Sequence, residues 1–171
     1  LLSIPAYMLA GWRKRDVRSN EASLKYYLLG VLASAVMLYG MSLIFGATGS
    51  TVLETIGRSL ASTEQFDAVI TVGIFFVVVG FAFKVSAVPF HFWAPDTYEG
   101  APTPITAFLS VASKAAGFVA LMSLVYVGFL SHFDVWGPMF WVLAALTMTV
   151  GNLVALRQTN IVRLLAYSSV A

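Results

Sequence analysis

Two lysines stand inside long apolar runs. Lys84 falls within residues 68–90 and Lys114 within residues 104–130. A lysine placed in a bilayer span costs about 2.5–3.5 kcal/mol on insertion scales, so such residues usually face a bundle interior and mark an ion path. Five residues after Lys84 comes Pro89, which lacks an N–H and breaks the helical ladder. The stretch 89–96 then mixes apolar with titratable residues, which predicts a broken helix of the kind that lines a cavity. The competing reading has Lys84 snorkelling to headgroups about 10 Å away, at 1.5 Å per residue. Lys114 lies roughly 15 Å past Pro104, near mid-bilayer. Its neighbours Ser110, Ser113, Ala115, Ala116 and Gly117 are small, which permits close helix packing and room for water. Its competing reading is a static lysine paired with a carboxylate of another helix. Desolvation favours a neutral amine, so a buried lysine can load and release protons near neutral pH. Two such lysines on consecutive antiparallel spans, at different depths, suit a stepwise proton wire bridged by water.

Glu21 and Lys25 are spaced i, i+4 in the favourable order. They either tune a proton entrance or form an interfacial salt bridge worth a few tenths of a kcal/mol. His91 is either a proton shuttle or an interfacial histidine beside Trp93. His132 is expected in an outer loop, facing solvent. Asp96 and Glu99 are expected to order their loop, with Gly100, Pro102 and Pro104 as turn punctuation. Arg163 and Tyr167 admit either role. The sequence has no cysteine, which excludes disulfides, thiolate metal sites, iron–sulfur clusters and thiol catalysis. Two loop histidines do not make haem ligands, and no glycine-rich nucleotide loop, Ser/His/Asp set or metal cluster is present. No cofactor or metal site is expected in this chain.

The elements that must hold these residues follow from composition. Of 171 residues, 59% are hydrophobic and only 11% charged, against roughly 25% charged in a typical soluble domain. A net charge of +2 without a basic stripe does not point to nucleic acid. So apolar a chain is neither disordered nor able to hide its surface in one soluble core. It reads as an all-α, polytopic transmembrane helix bundle, a single membrane domain over residues 1–171. Full spans are expected at 24–46, 68–90, 104–130 and 135–156, since a bilayer core of about 30 Å needs about 20 residues. Partial helices are expected at 1–12 and 161–171. Runs such as Val72 to Val79 do not alternate, which excludes barrel strands. Arg13, Lys14 and Arg15 follow the first apolar stretch, which is the wrong order for a signal peptide.

Basic loop residues place 13–20 and 157–163 in the cytoplasm. Loop 47–67, with Glu54, Arg58, Glu64 and Asp67, then faces outward, as does 131–134. Loop 91–103 returns inside, yet it carries Asp96 and Glu99 and no Lys or Arg, which suggests another task for it. Ser19 and Asn20 are candidate N-caps, Thr103 caps with Pro104 first in the helix, and Gly46, Gly49 and Ser50 close the first full span. The chain opens without Met and begins and ends within apparent helices, so it is expected to be a piece of a longer protein.

The run Phe83-Lys84-Val85-Ser86-Ala87-Val88-Pro89-Phe90-His91-Phe92-Trp93-Ala94-Pro95-Asp96-Thr97-Tyr98-Glu99-Gly100-Ala101-Pro102-Thr103-Pro104, with Ala112-Ser113-Lys114-Ala115-Ala116, resembles the proton-translocating antiporter-like membrane subunits of respiratory complex I. Leu1-Leu2-Ser3-Ile4-Pro5, Glu21 to Tyr27 and Asn152 to Asn160 extend the resemblance nearly end to end. It implies a larger bundle of inverted repeats, with this chain running from the family's fifth helix to its tenth. Lys84 matches the lysine of the broken seventh helix and Lys114 that of the eighth. Glu21 and Lys25 match the charged start of the sixth, and His91 and Tyr167 match polar residues of the path. The family's glutamate immediately precedes the Leu-Leu-Ser-Ile-Pro motif, one residue before this chain begins. The implied activity is proton translocation coupled to NADH:quinone electron transfer. Flavin, iron–sulfur clusters and quinone would lie in or between other subunits. Partners would be other membrane subunits and the lipid bilayer, with protons and water transported, in a bacterial inner membrane. A cation/proton antiporter subunit, a membrane-bound hydrogenase subunit and a structural subunit with static lysines are the alternatives.

Overall fold

A computed structural model describes residues 3–62 and 67–171; Leu1, Leu2 and Glu64 lie outside them. Among the described residues there are helices and no strand: α1 (Ser3–Ala10), α2 (Val17–Thr48), α3 (Leu53–Ala61), α4 (Ala68–Val85), α5 (Trp93–Gly100), α6 (Thr103–Phe108), α7 (Lys114–Ser123), α8 (Phe133–Leu156) and α9 (Ile161–Val170). Two π-helical turns, Leu109–Ser113 and Leu124–Gly128, make α6 and α7 parts of one rod, Thr103–Gly128. Among the described residues four helices are long and apolar enough to cross a membrane: Val17–Thr48, Ala68–Val85, Thr103–Gly128 and Leu130–Leu156.

Each predicted span overlaps one of these helices, with altered ends. α2 starts well before residue 24 because Asp16, not Ser19 or Asn20, is its cap, accepting from the Arg18 N–H at 3.0 Å. Ser19 is already helical and ties α2 to α1 by donating to the Ala10 carbonyl at 2.9 Å. The amide of Asn20 donates to the Lys14 carbonyl. At the far end Gly49 adopts φ 67°, the left-handed geometry of a helix stop, while Gly46 stays inside the helix. Thr103 is itself helical, and Pro102 holds the cap position. The loop predicted at 47–67 contains the amphipathic α3. α4 stops at Val85, short of Phe90.

α2 packs on α4 through small residues. A methyl group on Gly40 would come within 2.7 Å of the Gly73 carbonyl, so the two backbones approach as small residues allow in lipid. Large apolar side chains such as Leu24, Leu28 and Leu32 on α2 and Trp141, Leu153 and Leu156 on α8 point outward, as lipid-facing residues do. The interior holds two apolar clusters. One gathers Tyr7, Tyr26, Phe83, Trp93 and Leu109. The other gathers Ile44, Leu60, Ile74, Phe129 and Trp136. His132 corrects the expectation of a solvent-facing side chain. It is 1% exposed, because the short 3₁₀ turn Leu130–His132 folds against α3.

Candidate functional site

The site begins where α4 breaks. Ser86 turns left-handed at φ 63°, and the Ser86 and Ala87 N–H groups return to the carbonyls of Phe83 and Ala82 at 3.1 and 2.8 Å. The Val88–Pro89 peptide is cis. Lipid supplies no partners for freed backbone groups, so the break must satisfy its own. The indole N–H of Trp93 donates to the Phe83 carbonyl at 2.9 Å, and the Val88 N–H donates to Thr147 Oγ1 on α8 at 2.9 Å. Trp93 stacks on Tyr26 with ring centres 4.5 Å apart. Helix resumes as α5. The expected broken helix is present, its first half ending just after Lys84.

Lys84, half-buried near the end of α4, lines a cavity of about 190 Å³ with Ser3, Tyr7, Tyr26 and Ser34. Its aliphatic stem lies on Gly117 of α7. A methyl group there would sit 3.2 Å from Lys84 Cγ, so the α4–α7 crossing occurs at this pair. Lys114 is three residues before Gly117, about one turn away on the same helix face. It is 6% exposed. Its ammonium donates to the carbonyl of Ser169 and, at 2.9 Å, to Ser169 Oγ, and lies 5.9 Å from the centre of the Tyr98 ring. Neither Lys84 nor Lys114 forms an ion pair among the described residues. A π-helical turn ends immediately before Lys114. Such turns recur at functional sites, and the extra residue changes the face on which the following side chains emerge.

At one end of the bundle the charges collect. Lys25 Nζ pairs with Glu21 at 2.7 Å and with Asp96 at 2.8 Å. The guanidinium of Arg163 bridges Asp96 at 3.0 Å and Glu99 at 2.8 Å. Asn160, the N-cap of α9, also donates to Glu99 at 2.9 Å. With Arg18 these residues line an open cleft of about 290 Å³. The acidic segment without bases of its own is thus neutralised by α2 and α9, which brings those chain segments together at one end of the bundle. Asp96 and Glu99 sit on a helix and not in a loop.

His91 is 4% exposed, between Phe92 at 4.5 Å and Tyr167 at 6.1 Å between ring centres. Burial lowers its pKa below the ordinary imidazole value, and a backbone interaction with Pro89 opposes this weakly. The six residues singled out from sequence therefore fall into three groups: Lys84 with Lys114, His91 with Tyr167, and Glu21 with Lys25. Ser169, Asn160 and the bridging role of Arg163 had no local signal. Only the missing bases of loop 91–103 hinted at the ion-pair cluster. Among the described residues no group of three or more His, Cys, Asp or Glu is placed to hold a metal ion.

A bundle of spans with a broken helix and two lysines set among them defines an integral membrane protein. The chain belongs to the NADH:quinone oxidoreductase/Mrp antiporter transmembrane family, whose profile matches residues 1–171. It is 49% identical to NADH-quinone oxidoreductase subunit N of Trichlorobacter lovleyi over 100% of its length. It is 54% identical to NAD(P)H-quinone oxidoreductase subunit 2 of a Synechococcus species over 99%. These matches cover 35% and 32% of the relatives, so the chain spans about a third of their length. Respiratory complex I from Thermus thermophilus superposes with TM-score 0.83 at 42% identity, covering 99% of this chain and 35% of the matched chain. The Mrp complex of a Dietzia species does so with TM-score 0.80 at 26% identity, covering 98% of this chain and 31% of the matched chain. The resemblance read from the central motif is thereby confirmed.

Proposed function

We propose that this chain forms part of a membrane-arm subunit that moves protons across a bacterial inner membrane, coupled to NADH:quinone electron transfer. Flavin, iron–sulfur clusters and quinone belong to other subunits in this reading, and the enzyme is the assembled complex. Its partners are neighbouring membrane subunits and lipid, and its cargo is protons carried with water. The observation that carries the reading is the juxtaposition of Lys84 and Lys114 across the α4–α7 crossing at Gly117, with no counter-charge among the described residues. An uncompensated buried cation is costly, so each lysine is poised to hand its proton on when the field around it changes. A charge movement in a neighbouring subunit alters Lys84, its proton passes through the space beside it toward Lys114, and Lys114 relays it further. His91 with Tyr167, and Glu21 with Lys25, lie on the approach from the charged end.

The likeness to the Mrp complex, and the antiporter in the family's description, support a second reading, a cation/proton antiporter subunit. Lys84→Met in the full-length subunit, assembled in its complex in sealed vesicles, tests the proposal. Proton uptake should fall by about a hundredfold, within the range for loss of a proton-transfer group, with the complex still assembled. Normal uptake would overturn it. Uptake driven by a sodium gradient instead of by NADH would favour the antiporter.

A further inference from the structure

Lys114 takes its polar contacts from two elements that do not carry it. Ser169 on α9 accepts from its ammonium through both carbonyl and hydroxyl, and the face of Tyr98 on α5 lies beneath it. These two elements are fastened to each other at the charged end of the bundle. Arg163 of α9 bridges Asp96 and Glu99 of α5, and Asn160 of α9 donates to Glu99. Tyr98 stands between the two acids on α5, so a displacement of that helix moves the clamp and the aromatic contact together. On α9, Arg163 and Ser169 are six residues apart, about 9 Å along a rigid helix. The clamped side chains are only 33%, 26% and 25% exposed, and they act as a network, the circumstance in which ion pairs contribute measurably.

We propose that Arg163 is a positioning residue for Lys114. By locking α9 to α5 it fixes the Ser169 and Tyr98 contacts that hold the Lys114 ammonium in place between transfers. This rests on the proton-relay reading given above and adds a residue that touches neither lysine. Asp96 also pairs with Lys25 and Lys25 with Glu21, so the charged start of α2 belongs to the same clamp.

The test uses the full-length subunit in its complex in sealed vesicles, scored as proton uptake per assembled complex for Arg163→Gln, Arg163→Lys, Ser169→Ala and the double variant Arg163→Gln/Ser169→Ala. Arg163→Gln should lower uptake roughly threefold to tenfold, as loss of one member of a hydrogen-bonded network does. Arg163→Lys should recover most of it, and the double variant should be no worse than the more impaired single. Full uptake in Arg163→Gln, or losses that simply multiply in the double variant, would overturn the proposal. If Arg163→Gln does not assemble, Glu99→Gln enters the same cycle with Ser169→Ala, and the same two results decide. Lys114→Met run alongside separates the levels: unimpaired uptake there defeats the relay reading itself, whereas its loss beside an unimpaired Arg163→Gln defeats only the clamp.

Discussion

The interior around Lys84 and Lys114 and the charged end around Lys25 and Arg163 solve the same problem differently. At the charged end, Lys25 meets Glu21 and Asp96, and Arg163 meets Asp96 and Glu99. The Lys25 side chain is 44% exposed and that of Glu21 59% exposed. In the interior, among the described residues, Lys114 meets a serine and an aromatic face, and Lys84 lines a cavity that mixes hydroxyl-bearing residues with apolar ones such as Met37, Phe81 and Phe83. Water or a carboxylate settles a charge in place, whereas a buried amine held by neutral acceptors stays sensitive to every charge that moves nearby. On the proposed relay, the same side chain is thus a strut in one place and a proton carrier in the other, and its surroundings decide which.

Exchanging charge for neutrality at both places gives the largest contrast. Lys114→Met should reduce proton uptake by about a hundredfold in the assembled complex. Lys25→Gln, removing a half-exposed pair member, should change it by no more than about twofold. Comparable losses from both would erase the distinction, and vesicle uptake assays with matched assembly would show it. Next in size is a neutral contact of the interior. Thr147→Val leaves the Val88 N–H without its acceptor at the break, which should cost about 1–3 kcal/mol. Its signature is faster amide hydrogen exchange at residues 86–92, with the ends of α2 and α9 unaffected.

A smaller effect concerns pH. Burial depresses the pKa of His91 in the folded protein below 6.5, so the unfolded chain binds the proton first as the medium acidifies. The stability His91 contributes is therefore present above about pH 6.5 and is lost as pH falls through the lower folded value. Thermal unfolding of the purified subunit at pH 5 to 8 should show this slope, and His91→Gln should flatten it. The smallest change is expected of Glu21→Gln, a few tenths of a kcal/mol at most, since the pair is largely exposed and Lys25 keeps Asp96. A loss of assembly in that variant would make the charged end a keystone and not a strut.

Much of this was legible from residues alone. Long apolar runs force helices in lipid because backbone groups there have no other partner, so the four spans followed from composition. Lys84, Pro89 and Lys114 announced themselves by being out of place in such runs. The cap of α2 was misread because Ser19 and Asn20 are as suitable chemically as Asp16, and only the course of α1 beside them decides which one ends the turn. His132 was misread because loop position says nothing about what α3 covers.

The helical membrane class, the broken helix and the two lysines within apolar runs could be read from residue order, because each depends on local composition or on a proline that cannot continue a ladder. The partners of those residues follow from how the helices pack. That Lys84 crosses α7 at Gly117, that Ser169 receives Lys114, and that Arg163 joins Asp96 to Glu99 are matters of which helices meet and at what register. Residues 55 and 64 positions apart leave no periodic trace of one another. Their meeting is fixed by packing, through small residues where backbones close and through the break that turns α5 back beneath α9.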